Sequence, residues 1–199
     1  MALRFMNNLN AFLNSLDIEI KGFSGGTKGT SSVYKKTGTN NNDDLAGTLG
    51  ATDVILAGAG DDVIYGFDSA DILIGQDGKD TVFGGSGNDF IFAGAGSDKL
   101  DGGEGEDGFV FDLAKIKDGD LHQIENFDLS ADTIYLMSTE FDEKLVLAND
   151  GNNLPVSYKG KKIVQVNDLS TKNIKAEDIQ LATAEAFSDI EETIHFDIV

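Results

Sequence analysis

From Asn40 to Val110 the chain repeats one short apolar pattern. An apolar residue returns at every ninth position, as Ala46, Ile55, Ile64, Leu73, Val82, Ile91, Leu100 and Phe109. Its neighbours are mostly β-branched or aromatic, as in Val63-Ile64-Tyr65 and Phe90-Ile91-Phe92, which predicts a three-residue strand in each copy. Side chains alternate along a strand, so the recurring residue faces one way and both neighbours the other. The recurring position is apolar in all eight copies and is expected to face inward. So strict a period asks for one structural unit stacked on itself.

Two residues before each of these positions stands an aspartate: Asp44, Asp53, Asp62, Asp71, Asp80, Asp89, Asp98 and Asp107. Glycines precede the aspartates at two fixed places, four residues earlier at Gly58, Gly85, Gly94 and Gly103, and two residues earlier at Gly60, Gly78, Gly87, Gly96 and Gly105. Glycine is needed where backbone turns with positive φ or packs closely. The most regular copies read GGSGNDFIF (Gly84–Phe92) and GGEGEDGFV (Gly102–Val110). This pattern resembles the glycine-rich nonapeptide repeat of RTX proteins. The resemblance implies a mainly β fold, a right-handed parallel β-roll in which two nonapeptides make one turn and calcium ions sit between the loops of adjacent turns. Eight copies would give about four turns, or roughly 19 Å of ladder at the inter-strand spacing.

Carried onto this chain, the family's use of one aspartate from each adjacent loop gives up to six calcium sites. They are Asp44/Asp62, Asp62/Asp80 and Asp80/Asp98 on one edge, and Asp53/Asp71, Asp71/Asp89 and Asp89/Asp107 on the other. Loop backbone at Gly58, Gly60, Gly78, Gly85, Gly87, Gly94, Gly96, Gly103 and Gly105 would complete them. Calcium takes six to eight oxygen ligands, which carboxylates and tightly turned carbonyls supply. Asn40, Asn42, Leu49, Ala51, Phe67 and Ser69 stand where glycines belong, so the sites that lean on the first, second and fourth copies are expected to be the weaker ones.

Sorting copies into two sheets exposes an asymmetry. The outward positions of one sheet are Val54, Leu56, Ile72, Ile74, Phe90, Phe92, Gly108 and Val110, so that sheet is apolar on both faces and has to be covered. Residues 2–16 place Ala2, Phe5, Met6, Leu9, Phe12, Leu13 and Leu16 at helical spacing. A helix of that length, about 22 Å, matches the ladder and is expected to lie across this face, the rival occupants being a partner or the C-terminal segment. Asp17 to Phe23 alternates as a short strand, and Gly25 to Asn42 reads as a linker. Beyond Val110 the period stops, and strand-like runs follow at 108–112, 124–128, 132–136, 144–148, 156–158 and 162–166, with a turn at 149–152. The expected organisation is an N-terminal helix, strand and linker (1–38), the roll (39–110), a β-rich cap (111–182) and a tail (183–199). The tail ends Asp197-Ile198-Val199, an acidic residue followed by apolar ones, which resembles the uncleaved type I secretion signals of RTX proteases.

Charge adds one thing. The chain carries 35 acidic against 15 basic residues, formally −20, and many of the acids are periodic, which favours cation binding and disfavours nucleic acid and anionic membranes. No run is long and apolar enough to span a membrane, and the absence of cysteine removes disulfides and thiolate metal sites.

Catalytic signals are weak. Gly22-Phe23-Ser24-Gly25-Gly26 matches a nucleophile elbow formally, but no helix pattern follows it. Gly103 to Gly108 matches a dinucleotide fingerprint, but it lies inside the nine-residue register and leads into a strand. His122 and His195 read as lone surface histidines. The reading is therefore a secreted, bacterial, non-catalytic calcium-binding β-roll that folds outside the cell and binds a partner protein or polysaccharide there. The alternative is an accessory module of a larger RTX enzyme of alginate epimerase, lipase or metalloprotease type, aiding export and folding.

Overall fold

The structure is a computed structural model, and it describes residues 33–138, 146–147, 153–167, 169 and 179–183. The expected helix over 2–16, the strand at 17–23, Ser24, the turn at 149–152, His195 and the terminal tripeptide lie outside these residues.

Two sheets form the molecule. The first contains β1 (Val33–Thr37), β3 (Thr52–Ala59), β5 (Ile72–Asp77), β7 (Phe90–Phe92), β9 (Gly108–Asp112), β11 (Thr133–Ser138) and β15 (Ile179–Thr183), all parallel and in that order. The second runs β2 (Asp44–Ala46), β4 (Val63–Asp68), β6 (Thr81–Ser86), β8 (Lys99–Glu104) and β10 (His122–Glu125), also parallel. It ends in β14 (Lys161–Val166), parallel to β10, and in the antiparallel strands β13 (Leu154–Tyr158) and β12 (Val146–Leu147). From β1 to β11 strands alternate between the sheets along the chain, which is a β-roll. No helix occurs among the described residues.

The core is the column the apolar period predicts. Ile55, Ile64, Leu73, Val82, Ile91, Leu100 and Phe109 are all wholly buried between the sheets. Register aligns Ile55, Leu73, Ile91, Phe109 and Ile134 on one side, and Ile64, Val82, Leu100 and Ile124 on the other. Burying each such side chain stabilises by roughly 1.5–3 kcal/mol relative to exposure, so the stack is the main source of cohesion. The outward residues Leu56, Ile72, Phe92, Val110 and Met137 of the first sheet are buried as well. The segment expected to cover them lies outside the described residues.

Three expectations need correction. First, the earliest copy is out of step by one residue. Leu45 pairs with Ile64 and points inward, while Asp44 is exposed and Ala46 is only half-buried. The cause is one extra residue in the loop at 47–52, where the Ala51 N–H donates to the Thr48 carbonyl and Leu49 projects into solvent. A one-residue slip exchanges the two faces of a strand, so Asp43, not Asp44, takes the aspartate place. Second, Val33–Thr37 is not linker: β1 pairs with β3 from Val33↔Thr52 to Thr37↔Leu56 and adds a rung below the first copy. Third, the parallel stack does not stop at Val110. β10 and β11 continue both sheets at spacings of 24 and 25 residues instead of 18, because longer loops at 113–121 and 126–132 intervene.

Candidate metal centres

The loops between strands place one acidic side chain per turn along each edge of the roll. On one edge the file is Asp43, Asp62, Asp80 and Asp98; on the other it is Asp53, Asp71, Asp89 and Asp107. The backbone N–H of each aspartate donates to Oδ1 of the aspartate one turn on, at 2.7 Å for Asp43→Asp62, 3.0 Å for Asp62→Asp80 and Asp80→Asp98, 2.7 Å for Asp53→Asp71, 2.8 Å for Asp71→Asp89 and 2.9 Å for Asp89→Asp107. Asp62, Asp71, Asp80, Asp89, Asp98 and Asp107 are all at least 98 % buried.

Among the described residues each file has a last member that the period does not reveal. The Asp107 N–H donates to Oδ1 of Asp132 at 3.0 Å, so Asp132 continues one edge. On the other edge Gln123 pairs with Lys99, which puts His122 directly above Asp98 in the aspartate place. His122 is wholly buried, its Nδ1 lies 2.9 Å from Asp98 Oδ2, and its ring packs at 5.1 Å from that of Phe111. It is not the surface histidine its sequence context suggests. Both members carry a signal after the fact, for Ile134 follows Asp132, and Ile124 follows His122, at the repeat's two-residue offset.

The second carboxylate oxygens divide sharply. At the start of each file Oδ2 is held by the protein: the Thr39 N–H and hydroxyl donate to Asp43, and the Thr48 N–H donates to Asp53. At the far end it is held again, by His122 at Asp98 and by the Asp128 N–H at Asp132. Between these ends Oδ2 of Asp62, Asp71, Asp80, Asp89 and Asp107 is buried with no hydrogen-bond partner. A buried carboxylate without a partner is costly unless a cation or a proton supplies the missing interaction.

The same conclusion follows from titration. Burial pushes the carboxyl groups of Asp71 and Asp80 up to about 7 and that of Asp89 up to about 8; the N–H on Oδ1 opposes the rise and the neighbouring aspartates of the file add to it. Asp62 and Asp107 are raised for the same first reason. Asp98 is raised by burial too, with the His122 hydrogen bond pulling back.

Glycines set how closely the loops stack. A Cβ on Gly78 would stand 1.8 Å from the Gly60 carbonyl oxygen, and one on Gly96 1.7 Å from that of Gly78, both at positive φ. Successive loops therefore stack backbone on backbone, with carbonyl oxygens facing the next turn beside the open carboxylates. Phe67, Ser69 and Gln76 occupy the corresponding places with φ of 80, 82 and 73, so these copies adopt the left-handed turn without glycine, at a cost of roughly 1–2 kcal/mol each. The loop of the fourth copy is thus formed, and Asp71 keeps its place in the file although the missing glycines argued against it.

No three acidic, histidine or cysteine side chains converge among the described residues. An ion here would take one or two carboxylates and fill its shell with backbone carbonyls and water. That is an all-oxygen, hard-cation donor set with no nitrogen or sulfur majority, and it fits calcium.

The fold and its edges define a parallel β-solenoid with a carboxylate file along each side. Within that class, the profile of the RTX calcium-binding nonapeptide repeat, in four copies, matches residues 49–82 and 74–109. Residues 49–109 are therefore RTX calcium-binding nonapeptide repeats, folded as a β-roll. Among solved structures the chain is similar to the R3 subunit of the mannuronan C5-epimerase of Azotobacter vinelandii, with 23 % identity, a TM-score of 0.46 and coverage of 82 % of this chain and 85 % of that one. The R2 subunit of the same enzyme matches with 23 % identity, a TM-score of 0.46 and coverage of 74 % and 92 %. The extracellular lipase of Serratia marcescens matches with 15 % identity, a TM-score of 0.35 and coverage of 78 % and 41 %. A search of curated proteins returned no match.

Proposed function

We propose that the chain is an extracellular protein or module whose roll folds when calcium fills the interior loops, and which acts by binding and not by catalysis. The observation that carries this is the set of five buried, partnerless Oδ2 atoms at Asp62, Asp71, Asp80, Asp89 and Asp107. In this reading calcium sits between the loops of adjacent turns and neutralises the aspartates that face one another. A calcium-poor cytosol leaves the chain unfolded for a type I secretion channel, with residues 183–199 as the export signal, and the outside medium folds it. Metal that binds only the folded form contributes its binding free energy to folding. A calcium titration followed by far-UV circular dichroism tests the switch: the folding midpoint is expected near 10⁻⁴–10⁻³ M, the range of extracellular calcium modules. A midpoint below about 1 µM would mean that the cytosol already folds the chain, and would sink the export logic.

A second reading, an accessory module that contacts an anionic polysaccharide, draws on one groove. Lys117, Lys159, Lys161 and Lys162 line a groove of about 680 Å³ together with Leu113, Tyr158, Ile163, Asp118 and Asp120, and Lys161 pairs there with Asp118. Four of the chain's 15 basic residues thus meet at one place in a molecule of charge −20. Lys159 Nζ lies 5.4 Å from the centre of the Tyr158 ring, a cation over an aromatic face. Replacing Lys117, Lys161 and Lys162 by Gln is expected to weaken binding to a polyuronate about tenfold at low salt, each exposed charge contact being worth roughly 0.2–1 kcal/mol. Absence of polyuronate binding by the unmodified chain would remove this reading and leave the calcium one intact.

A further inference from the structure

We infer that His122 is a protein-built terminator of one calcium file, standing where the next aspartate would be and withholding Asp98 from the metal. The inference rests on the calcium reading above and adds to it which aspartates do not take an ion.

The geometry has three parts. Register places His122 one turn beyond Asp98, as Asp98 is one turn beyond Asp80: Gln123 pairs with Lys99, Lys99 pairs with Thr81, and the Gln123 N–H donates to the Asp98 carbonyl as the Lys99 N–H does to that of Asp80. His122 Nδ1 then meets Asp98 Oδ2 at 2.9 Å. A carboxylate can only accept, so Nδ1 carries the hydrogen. In the interior loops the same Oδ2 oxygen is open at Asp62 and Asp80; at Asp98 it is the one that His122 closes. Finally, beyond His122 the edge has no further loop of the repeat: β10 pairs with β14, which belongs to the hairpin with β13. A side chain that brings its own N–H ends the file without leaving a carboxylate exposed to an unfilled site.

The other three ends are closed by analogous means, Thr39 at Asp43, Thr48 at Asp53 and the Asp128 N–H at Asp132. The calcium-bearing aspartates are then Asp62 and Asp80 on one edge and Asp71, Asp89 and Asp107 on the other, with one ion engaging each open oxygen. Five ions are expected where equal copies would give six.

Counting bound calcium on the full chain, by native mass spectrometry and by equilibrium dialysis with ⁴⁵Ca, tests this. The unmodified chain is expected to hold five ions, Asp80→Asn four, and Asp98→Asn five. His122→Asn keeps an N–H donor near the Nδ1 place and is expected to hold five; His122→Asp removes the donor, opens Asp98 and is expected to hold six. A count that falls by one in Asp98→Asn, or rises in His122→Asn, overturns the terminator role even if His122→Asp fails to fold. No bound calcium in the unmodified chain would instead overturn the calcium reading on which it rests.

Discussion

In excess chelator at neutral pH the chain is expected to lose most of its β-sheet signal, and to recover it on return to millimolar calcium. An ion at a hundred times its dissociation constant stabilises the folded form by about 2.7 kcal/mol per site. Five such sites sum to about 13 kcal/mol, near the top of the roughly 5–15 kcal/mol that separates a typical folded domain from its unfolded state. Removing the ions leaves five buried carboxylates each with a partnerless Oδ2, and adjacent members of a file repel one another. The apolar column from Ile55 to Phe109 offsets part of that, but its residues depend on coils that the loops hold in register. Circular dichroism and thermal melts in chelator and in calcium make the measurement. A chelated chain with the same spectrum and the same melting temperature would show that the roll stands without metal.

The pH dependence of the metal-free chain has the opposite sign to the usual behaviour of paired carboxylates. Folded-state values of about 7 for Asp71 and Asp80 and about 8 for Asp89 lie above the unfolded value near 3.8. Between these limits the folded form binds more protons than the unfolded one, so its stability falls as pH rises. In chelator, acidification from pH 8 to pH 5 is expected to restore part of the β-sheet signal, with protons replacing the missing cations. With limiting calcium the slope reverses, since protons compete for the same oxygens and the apparent calcium affinity drops over that interval. Circular dichroism at pH 5, 6.5 and 8, with and without calcium, separates the two regimes. A chelated chain with less β-sheet signal at pH 5 than at pH 8 would contradict the buried, open state of these carboxylates.

The sequence carried the repeat legibly because apolar and acidic positions keep one spacing through the interior turns. Legibility failed where the spacing changed. The extra residue at 47–52 moved Asp43 and Leu45 into the places that a strict count assigns to Asp44 and Ala46. A clue was present, since Gly38 and Gly47 are nine apart and begin their loops as Gly66, Gly75 and Gly84 do, and since leucine is a better core residue than alanine. His122 and Asp132 were hidden by loops that stretch the turn to 24 and 25 residues, so that no periodic count reaches them. The histidine also differs in kind: only the fold shows that a donor, and not a carboxylate, occupies the last place. At Phe67 and Ser69, backbone restrained by neighbours on both sides holds a left-handed turn that residue preference alone would refuse.

The closed ends have a consequence for the size of the molecule. Among the described residues each file begins and finishes with a carboxylate whose two oxygens are both engaged or with the His122 ring that engages one, and the turns between share one register. Length is therefore a free parameter in this architecture. Duplicating residues 75–92 within the interior adds one coil, about 4.8 Å of axial rise at the usual strand spacing, and two further open carboxylates, while leaving all four terminators where they are. Growth by tandem duplication changes how many ions the protein stores and how far it reaches, without redesign of either end.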